Sequence, residues 1–404
     1  MKILVNGINH TPELTGIGKY TGEMVKWLTE QGHEVKVVTA PPYYPSWKIS
    51  KGYSSFLYQR EWIDGARVIR CPLWVPEKPS GLKRIVHLAS FAFTSFPVML
   101  WNSLFWRPDV VFVIEPPFLC VPGALLSAKL AGAKSWLHIQ DFEIDAAFDL
   151  GILKSKKIKY WVSRVECWLM KKFYRVSTIS VRMLERVVAK GVMPEKTILF
   201  ENWVETEQIF PLNETPRLYG ELGLPENRVI ILYSGNMGEK QGLEIILDAA
   251  RKFSNRKDLL FLMCGDGAAK ERLLGLSSGL ENVVFAPLQP LDKLNELLNL
   301  ADIHLLPQKA GAEDLVMPSK LTNMMASGKP VVATAMPDTQ IANVLIDSGI
   351  VVEPDDISAF VEAIDVLASD KVECGRLGVN GRAYAVQHWG RDNVLSSAFT
   401  SFIN

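Results

Sequence analysis

Short apolar runs alternate with longer amphipathic stretches along this chain, in two successive series, and this pattern most constrains its fold. In the first series the runs are Ile3–Val5, Glu34–Thr39, Val68–Arg70, Val110–Ile114, Ser135–Ile139 and Val176–Ile179. The second has Val229–Tyr233, Leu259–Met263, Val283–Phe285, Ile303–Leu306, Pro330–Thr334 and Ile350–Val352. Continuous apolar runs of this length suit parallel strands covered on both faces. Stretches with helical spacing lie between them, including Lys19–Gln31, Leu243–Phe253, Leu291–Ala301 and Ser358–Ala368. Strand, helix, strand in series predicts an α/β protein, and two series in 404 residues predict two Rossmann-like domains. The polar stretch Asn202–Arg228, with three prolines, precedes a fresh strand and marks the boundary. We therefore expect a first domain over 1–205, a second over 206–387, and a last helix near 388–404 packing back on the first.

The charge balance divides the same way. Residues 1–190 hold 26 Lys and Arg against 15 Asp and Glu; with 44 of each in the whole chain, 191–404 hold 18 against 29. A basic first half points to an anionic partner: a phosphate substrate, an anionic lipid or a nucleic acid. The five cysteines, Cys71, Cys120, Cys167, Cys264 and Cys374, have no metal-ligand spacing and fit a reducing compartment. The opening MKILVNG lacks the longer apolar region and cleavage site of a signal peptide, and reads as a buried first strand.

Several strand-to-helix junctions are rich in glycine. Gly16 and Gly18 stand where the first helix begins, where backbone can approach a ligand and the helix end favours an anion. Its counterpart in the second half carries Gly235, Gly238, Lys240 and Gly242, and the next strand ends at Gly265 and Gly267. A lysine at such a helix start neutralises a phosphate as a point charge. In AGAEDLVMPSKLTNMMASGKPVVAT, Glu313 and Asp314 precede a helix that starts near Pro318, runs over Ser319–Ser327 and stops at Gly328. The N–H groups near Leu321 and Thr322 then lie at its positive end, beside Lys320. In LHIQDFEIDA, His138 ends a strand, with Asp141 and Asp145 in the following loop.

The order G-x-G-K-Y, G-N-x-G-x-K-x-G, C-G-D-G and P-S-K-x-x-x-x-x-A-S-G-K-P-V resembles glycosyltransferase family 4 over nearly the whole chain. That resemblance implies the GT-B fold, two Rossmann-like domains with parallel sheets facing across a cleft, and retaining transfer from a nucleotide sugar. The stretches NHTPELTGIGKYTGEM, GHEVKVVTAPPYYP, RCPLWVP, LHIQDFEIDA and GNMGEKQGLE are similar to the bacterial subgroup that builds colanic acid and O antigens, which includes fucosyl- and N-acetylfucosaminyl-transferases.

Carried over to this chain, the resemblance gives Gly16, Gly18, Asn236, Lys240, Lys320, Leu321 and Thr322 to the donor diphosphate and sugar. Gly265, Gly267, Leu288 and Asn323 go to the nucleoside. Asn236 stands where the family often has an arginine, and Asn323 where it has the second glutamate of Glu-x7-Glu. Eight residues before Asn323 stands Leu315 rather than a glutamate, so Glu313 and Asp314 become the candidate carboxylates. The loop with His138 and Asp141 lines the acceptor side in the family, where a histidine beside carboxylates can orient a hydroxyl or take its proton; Glu13 and Asp145 are further acceptor-side candidates.

These residues predict a metal-independent transfer without a cofactor, since no Asp-x-Asp pair of the metal-dependent kind is present. The expected partners are a nucleotide-sugar donor of L-fucose type, a lipid-linked sugar acceptor and the anionic inner membrane, which the enzyme would meet from the cytoplasm; nucleic acid ranks last, for want of a recognition motif. Competing readings are a sugar-nucleotide epimerase of the same fold and an inactive subunit that binds the nucleotide sugar without turnover.

One segment stands apart. Ile85–Trp106 has no formal charge, is bracketed by Arg84 and Arg107, and is long enough to cross a bilayer as a helix. Spanning would cut the next strand off from its sheet. Two readings remain: a core helix kinked at Pro97, and an apolar interfacial surface joined by KSKKIKYWVSR, residues 154–164.

Overall fold

The computed structural model of the chain describes residues 1–13, 16–77, 81–149, 156–238, 241–309 and 319–403. They form two compact units, Met1–Glu201 with Leu395–Asn404, and Asn202–Val394.

The strands of the first unit are β1 (Lys2–Asn6), β2 (Glu34–Thr39), β3 (Gln59–Ile63), β4 (Ala66–Arg70), β5 (Val110–Glu115), β6 (Lys134–Ile139), β7 (Arg175–Thr178) and β8 (Thr197–Leu199). Its helices are α1 (Gly16–Glu30), α2 (Gly81–Phe105), α3 (Val121–Ala131), α4 (Glu143–Asp149), α5 (Lys156–Met170) and α6 (Val181–Ala189). The sheet order is β3-β4-β2-β1-β5-β6-β7-β8. All pairings are parallel except β3 with β4, a hairpin turned at Asp64 and Gly65 with φ of 47° and 78°. This is the positive-φ turn that Asp-Gly favours. The sequence reading passed over β3, whose QREWI lacks an apolar run because it lies at the sheet edge; it passed over the three-residue β8 too.

The interior strands are apolar on both faces. One face buries Leu4, Val38, Val111, Val113, Leu137 and Ile139 against Leu88, Phe91 and Met99 of α2 and Val121, Ala124 and Ala128 of α3. On the other face Trp136 stacks on Phe402 at 4.5 Å and meets Phe399 at 5.0 Å. Both rings belong to the last helix.

Helix α2 has an unusual polarity. Its inward positions include His87, Ser95, Asn102 and Ser103, each held by a hydrogen bond. Its outward positions include Leu82, Val86, Phe93, Phe96, Trp101, Leu104 and Phe105. Phe93 is 83% exposed, Phe105 68% and Trp101 63%, so the solvent side is the more apolar. By length and composition α2 could cross a membrane. Yet β4 before it and β5 after it belong to one sheet, and crossing would place them on opposite sides of the bilayer. The helix is continuous through Pro97, which lies on the exposed side where its missing N–H is least costly.

The second unit contains β9 (Val229–Asn236), β10 (Leu259–Asp266), β11 (Val283–Ala286), β12 (Ile303–Leu306), β13 (Val331–Thr334) and β14 (Gly349–Val352). They form a parallel sheet in the order β11-β10-β9-β12-β13-β14. Helices α7 (Arg217–Glu221), α8 (Glu244–Lys252), α9 (Lys270–Leu276), α10 (Leu294–Asn299), α11 (Ser319–Ala326), α12 (Gln340–Leu345), α13 (Ile357–Ser369) and α14 (Lys371–Trp389) accompany it. Ile231, Tyr233, Phe261 and Met263 face the cluster with α8 and α13, while Ile230, Leu232, Leu260 and Leu262 face the opposite one. Helix α15 (Arg391–Ile403) begins in this unit and returns Leu395–Asn404 to the first.

Candidate active site

In each unit the candidate residues gather at the carboxyl ends of the central strands, where open parallel sheets bind ligands. In the second unit β9 and β10 end in register, with Gly235 opposite Gly265 and Asn236 opposite Asp266. Both glycines have positive φ, 123° and 157°, and a Cβ on Gly265 would collide with the carbonyl oxygen of Gly235. Only glycine permits this approach. Gly267 follows, its N–H donating to Asp266 Oδ1 at 2.8 Å.

Across Gly235 lies the side chain of Lys320, from the first turn of α11. Its Nζ donates to the Tyr233 hydroxyl at 3.0 Å and sits 4.8 Å from the centre of that ring. The Tyr233 hydroxyl donates in turn to the Asn236 carbonyl at 2.6 Å. Among the described residues Lys320 has no carboxylate partner, and burial pulls its pKa down to about 8. A positive amine at a helix N-terminus is an arrangement that suits an anion.

The side chains of Leu321 and Thr322 are buried, which leaves only their backbone N–H groups at the helix start, and Asn323 is half-buried on the same helix. Leu288 is largely exposed after β11. Lys240, Glu313, Asp314, Leu315 and Pro318 lie outside the described residues.

In the first unit Glu13 is buried, its Oε1 accepting from the N–H groups of Tyr43 and Tyr44 at 2.9 Å each and its Oε2 from Asn9 Nδ2 at 2.8 Å. Burial raises its pKa, opposed by the Tyr44 and Tyr43 amides. Gly18 explains how the carboxylate fits: a Cβ there would lie 2.7 Å from Glu13 Oε2 and 2.8 Å from its Cβ. In this structure Gly18 makes room for the loop of residues 9–13, and Gly16, with φ of 61°, starts the helix. Arg70, which the sequence reading missed, holds that loop from beneath. Fully buried, it donates to the Thr11 and Ala40 carbonyls and pairs with Glu61 at 2.6 Å.

His138 is the penultimate residue of β6, but its side chain is enclosed. Its ring points into the face with Phe112 and Phe200, Nδ1 lies 2.9 Å from Ser177 Oγ, and Nε2 lies 2.9 Å from Gln140 Nε2. Burial lowers its pKa to about 3, so it stays neutral. The alternation of a strand explains this: His138 shares a face with Trp136, and Gln140 and Asp141 are the residues that emerge at the end. Asp141 is exposed, with its pKa raised by desolvation and lowered in part by Arg84. Asp145 is taken up by Arg186 at 2.9 Å and Lys190 at 3.1 Å, tying α4 to α6.

Beside them is an acid the sequence did not single out. Glu115, the last residue of β5, is fully buried, both carboxyl oxygens have no hydrogen-bond partner among the described residues, and burial, with Glu143 and Glu166 adding, raises its pKa well above the ordinary range. Glu143 accepts from the Phe118 N–H at 2.8 Å, and Glu166 pairs with Lys190 at 2.5 Å. No group of three or more His, Cys, Asp or Glu among the described residues is arranged to hold a metal ion.

Two family patterns match the chain, one described as a glycosyl transferase 4-like domain over residues 15–203, the other as glycosyl transferases group 1 over 228–370. A relative 44% identical, over 98% of both chains, is the Escherichia coli (strain K12) protein whose name assigns it to colanic acid biosynthesis as the glycosyl transferase WcaI. WbjE of Pseudomonas aeruginosa, also named a glycosyltransferase, is 25% identical over 70% of this chain and 71% of its own. Sucrose-phosphate synthase from Thermosynechococcus elongatus superposes with a TM-score of 0.73 at 16% identity, covering 100% of this chain and 98% of its own. Anabaena HepE, solved in complex with UDP, does so at 0.70 and 15%, covering 100% of both. These two share the fold with this protein. The chain thus belongs to glycosyltransferase family 4 and is a glycosyltransferase of GT-B fold.

Proposed function

We propose that this enzyme moves an L-fucose-type sugar from a nucleotide sugar to an undecaprenyl-pyrophosphate-linked sugar, in the assembly of colanic acid or a related surface polysaccharide such as O antigen, with retention and without metal. The observation that carries the reading is the 44% identity to WcaI over 98% of both chains. UDP-N-acetyl-L-fucosamine is the first donor to test and GDP-L-fucose the second.

The leaving diphosphate gains charge as the glycosidic bond breaks. Lys320 and the N–H groups at the start of α11 supply positive charge to it, with Lys240 at the preceding junction. Asn323 meets the ribose and Leu288 the base. Retention follows from same-face attack, with a phosphate oxygen assisting deprotonation of the acceptor. Asp141, at the end of β6, orients the acceptor, and Glu313 or Asp314 serves as the donor-side carboxylate. The outward apolar face of α2 supports peripheral contact with the cytoplasmic face of the inner membrane, where a lipid-linked acceptor resides.

The test is incubation of the protein with each donor and a lipid-pyrophosphate-linked sugar. Transfer with retained anomeric configuration is expected; no transfer and no donor hydrolysis with any UDP- or GDP-sugar would overturn the reading. A second reading, a donor-binding subunit without turnover, draws on Asn323 and Leu315 standing where the family has glutamates. Tight donor binding with no product identifies it.

A further inference from the structure

The inner side of the β3–β4–β2 edge carries an arrangement the transfer reaction does not use. Lys36 of β2 is directly opposite Arg67 of β4, and Arg60 of β3 is opposite Ile69, two residues along on the same face. The three cations line an open cavity of about 590 Å³ beneath α2, bordered by Tyr58, Val98 and Trp101, and no acidic side chain among the described residues lines it. Neighbouring strands are only ~4.8 Å apart, so like charges in one row repel.

None of the three is ion-paired among the described residues. Lys36 Nζ instead reaches Asn102 Oδ1 at 3.3 Å and lies 4.3 Å from the centre of the Trp106 ring. Glu34, whose charge acts on Lys36 in the opposite direction, accepts from Trp106 Nε1 at 2.9 Å. Burial and then Arg67 lower the Lys36 pKa, the direction an incoming anion would reverse. The mouth is apolar. Trp101 packs on Phe105 at 4.2 Å, and Leu104, Tyr58 and Trp62 are exposed around it. A cationic pocket with an aromatic rim matches an anion that arrives attached to hydrocarbon, which a free nucleotide or a nucleic acid is not.

We propose that this pocket binds the phosphate headgroup of an anionic membrane lipid, with Lys36, Arg60 and Arg67 around the phosphate and Trp101 and Phe105 in the interface. The proposal rests on the membrane contact inferred above and gives it a defined site.

The experiment is co-flotation of the full chain with vesicles of phosphatidylcholine alone or with added phosphatidylglycerol at low salt. The wild type is expected to float with the anionic vesicles. Each surface cation contributes about five-fold in partition, so Arg60→Glu with Arg67→Glu lowers it at least about twenty-fold. A charge-matched control in the second unit, Lys252→Glu with Lys371→Glu, changes it far less. Trp101→Ser alters no charge and weakens binding about ten-fold through lost apolar burial. Thermal melting confirms that each variant is folded; should the double variant unfold, Trp101→Ser and Arg60→Gln carry the test.

If the pocket double variant and the control lose equally, the pocket is wrong and the general membrane contact stands. If the wild type floats with neither vesicle, the membrane contact fails and the pocket with it. If inorganic phosphate raises the melting temperature of the wild type but not of the pocket variant, while flotation is the same for both, the occupant is a free anion and the lipid assignment is overturned.

Discussion

Lys320→Met should stabilise the protein while weakening donor binding. An unfolded lysine keeps its proton up to 10.5; burial brings that of Lys320 down to about 8. At ~1.4 kcal/mol per pH unit this drop corresponds to about 3 kcal/mol of instability at neutral pH. The sign follows from proton binding. Between pH 8 and 10.5 the unfolded chain holds the extra proton, so stability rises with pH across that window and the cost is fully present below it. Methionine keeps the length that packs across Gly235 and removes the charge. It also loses the hydrogen bond to Tyr233, worth ~1 kcal/mol, which leaves a gain of about 2 kcal/mol. In scanning calorimetry that is a rise of roughly 4–8 °C at pH 7 for a unit of this size, fading towards pH 10. Titration calorimetry with UDP, GDP and their sugars should show the opposite, a loss of ~1.5–3 kcal/mol or roughly ten- to hundred-fold in Kd, the worth of a hydrogen bond from a charged donor. Wild-type donor affinity should fall above pH 8 as the amine loses its proton. A variant less stable than wild type at pH 7, with unchanged donor affinity, would refute both the buried charge and its role.

Gly18→Ala puts a methyl group 2.7 Å from the Glu13 carboxylate and should cost ~1–3 kcal/mol in denaturant unfolding; adding Glu13→Ala should recover part of it. Glu115→Gln removes an acid whose pKa burial raises, so that the folded state loses stability as pH climbs above 4.5. The variant should match wild type at pH 4 and gain on it towards pH 8 in thermal melts. His138→Ala should cost ~2–3 kcal/mol of stability through its lost packing and hydrogen bonds, because the ring lies between Phe112 and Phe200. With a pKa of about 3, His138 cannot supply a rate-limiting ionisation near neutrality, so the pH–rate profile between 6 and 8 should be unchanged by its removal.

The sequence by itself determined the α/β class, the number of sheets and the strand ends at which the candidate residues lie. Apolar runs such as VVFVI and LLFLM have one use in a soluble fold, as strands covered on both sides, and this information is local. The glycines at 235 and 265 were legible for the same reason, since a positive φ or a close backbone approach restricts the residue type wherever it occurs.

The tertiary structure decided which side chains the chemistry can reach. His138 and Gln140 are two residues apart at the end of β6, and only the packing of Phe112 and Phe200 shows that the histidine is enclosed. The contact of Gly18 with Glu13, and the pairing of Asp145 with Lys190 and Arg186, exist only in the folded chain. Glu115 and Arg70 give no sign in the sequence, because burial of a charge is a property of what packs around it. In Ile85–Trp106 the composition allowed both readings; in the fold one face of α2 closes the core, while the other turns its aromatic side chains outward. Periodicity alone could not divide them, because hydrophobic residues populate both faces, the outer one more than the inner. Only the position of the sheet shows which face is covered.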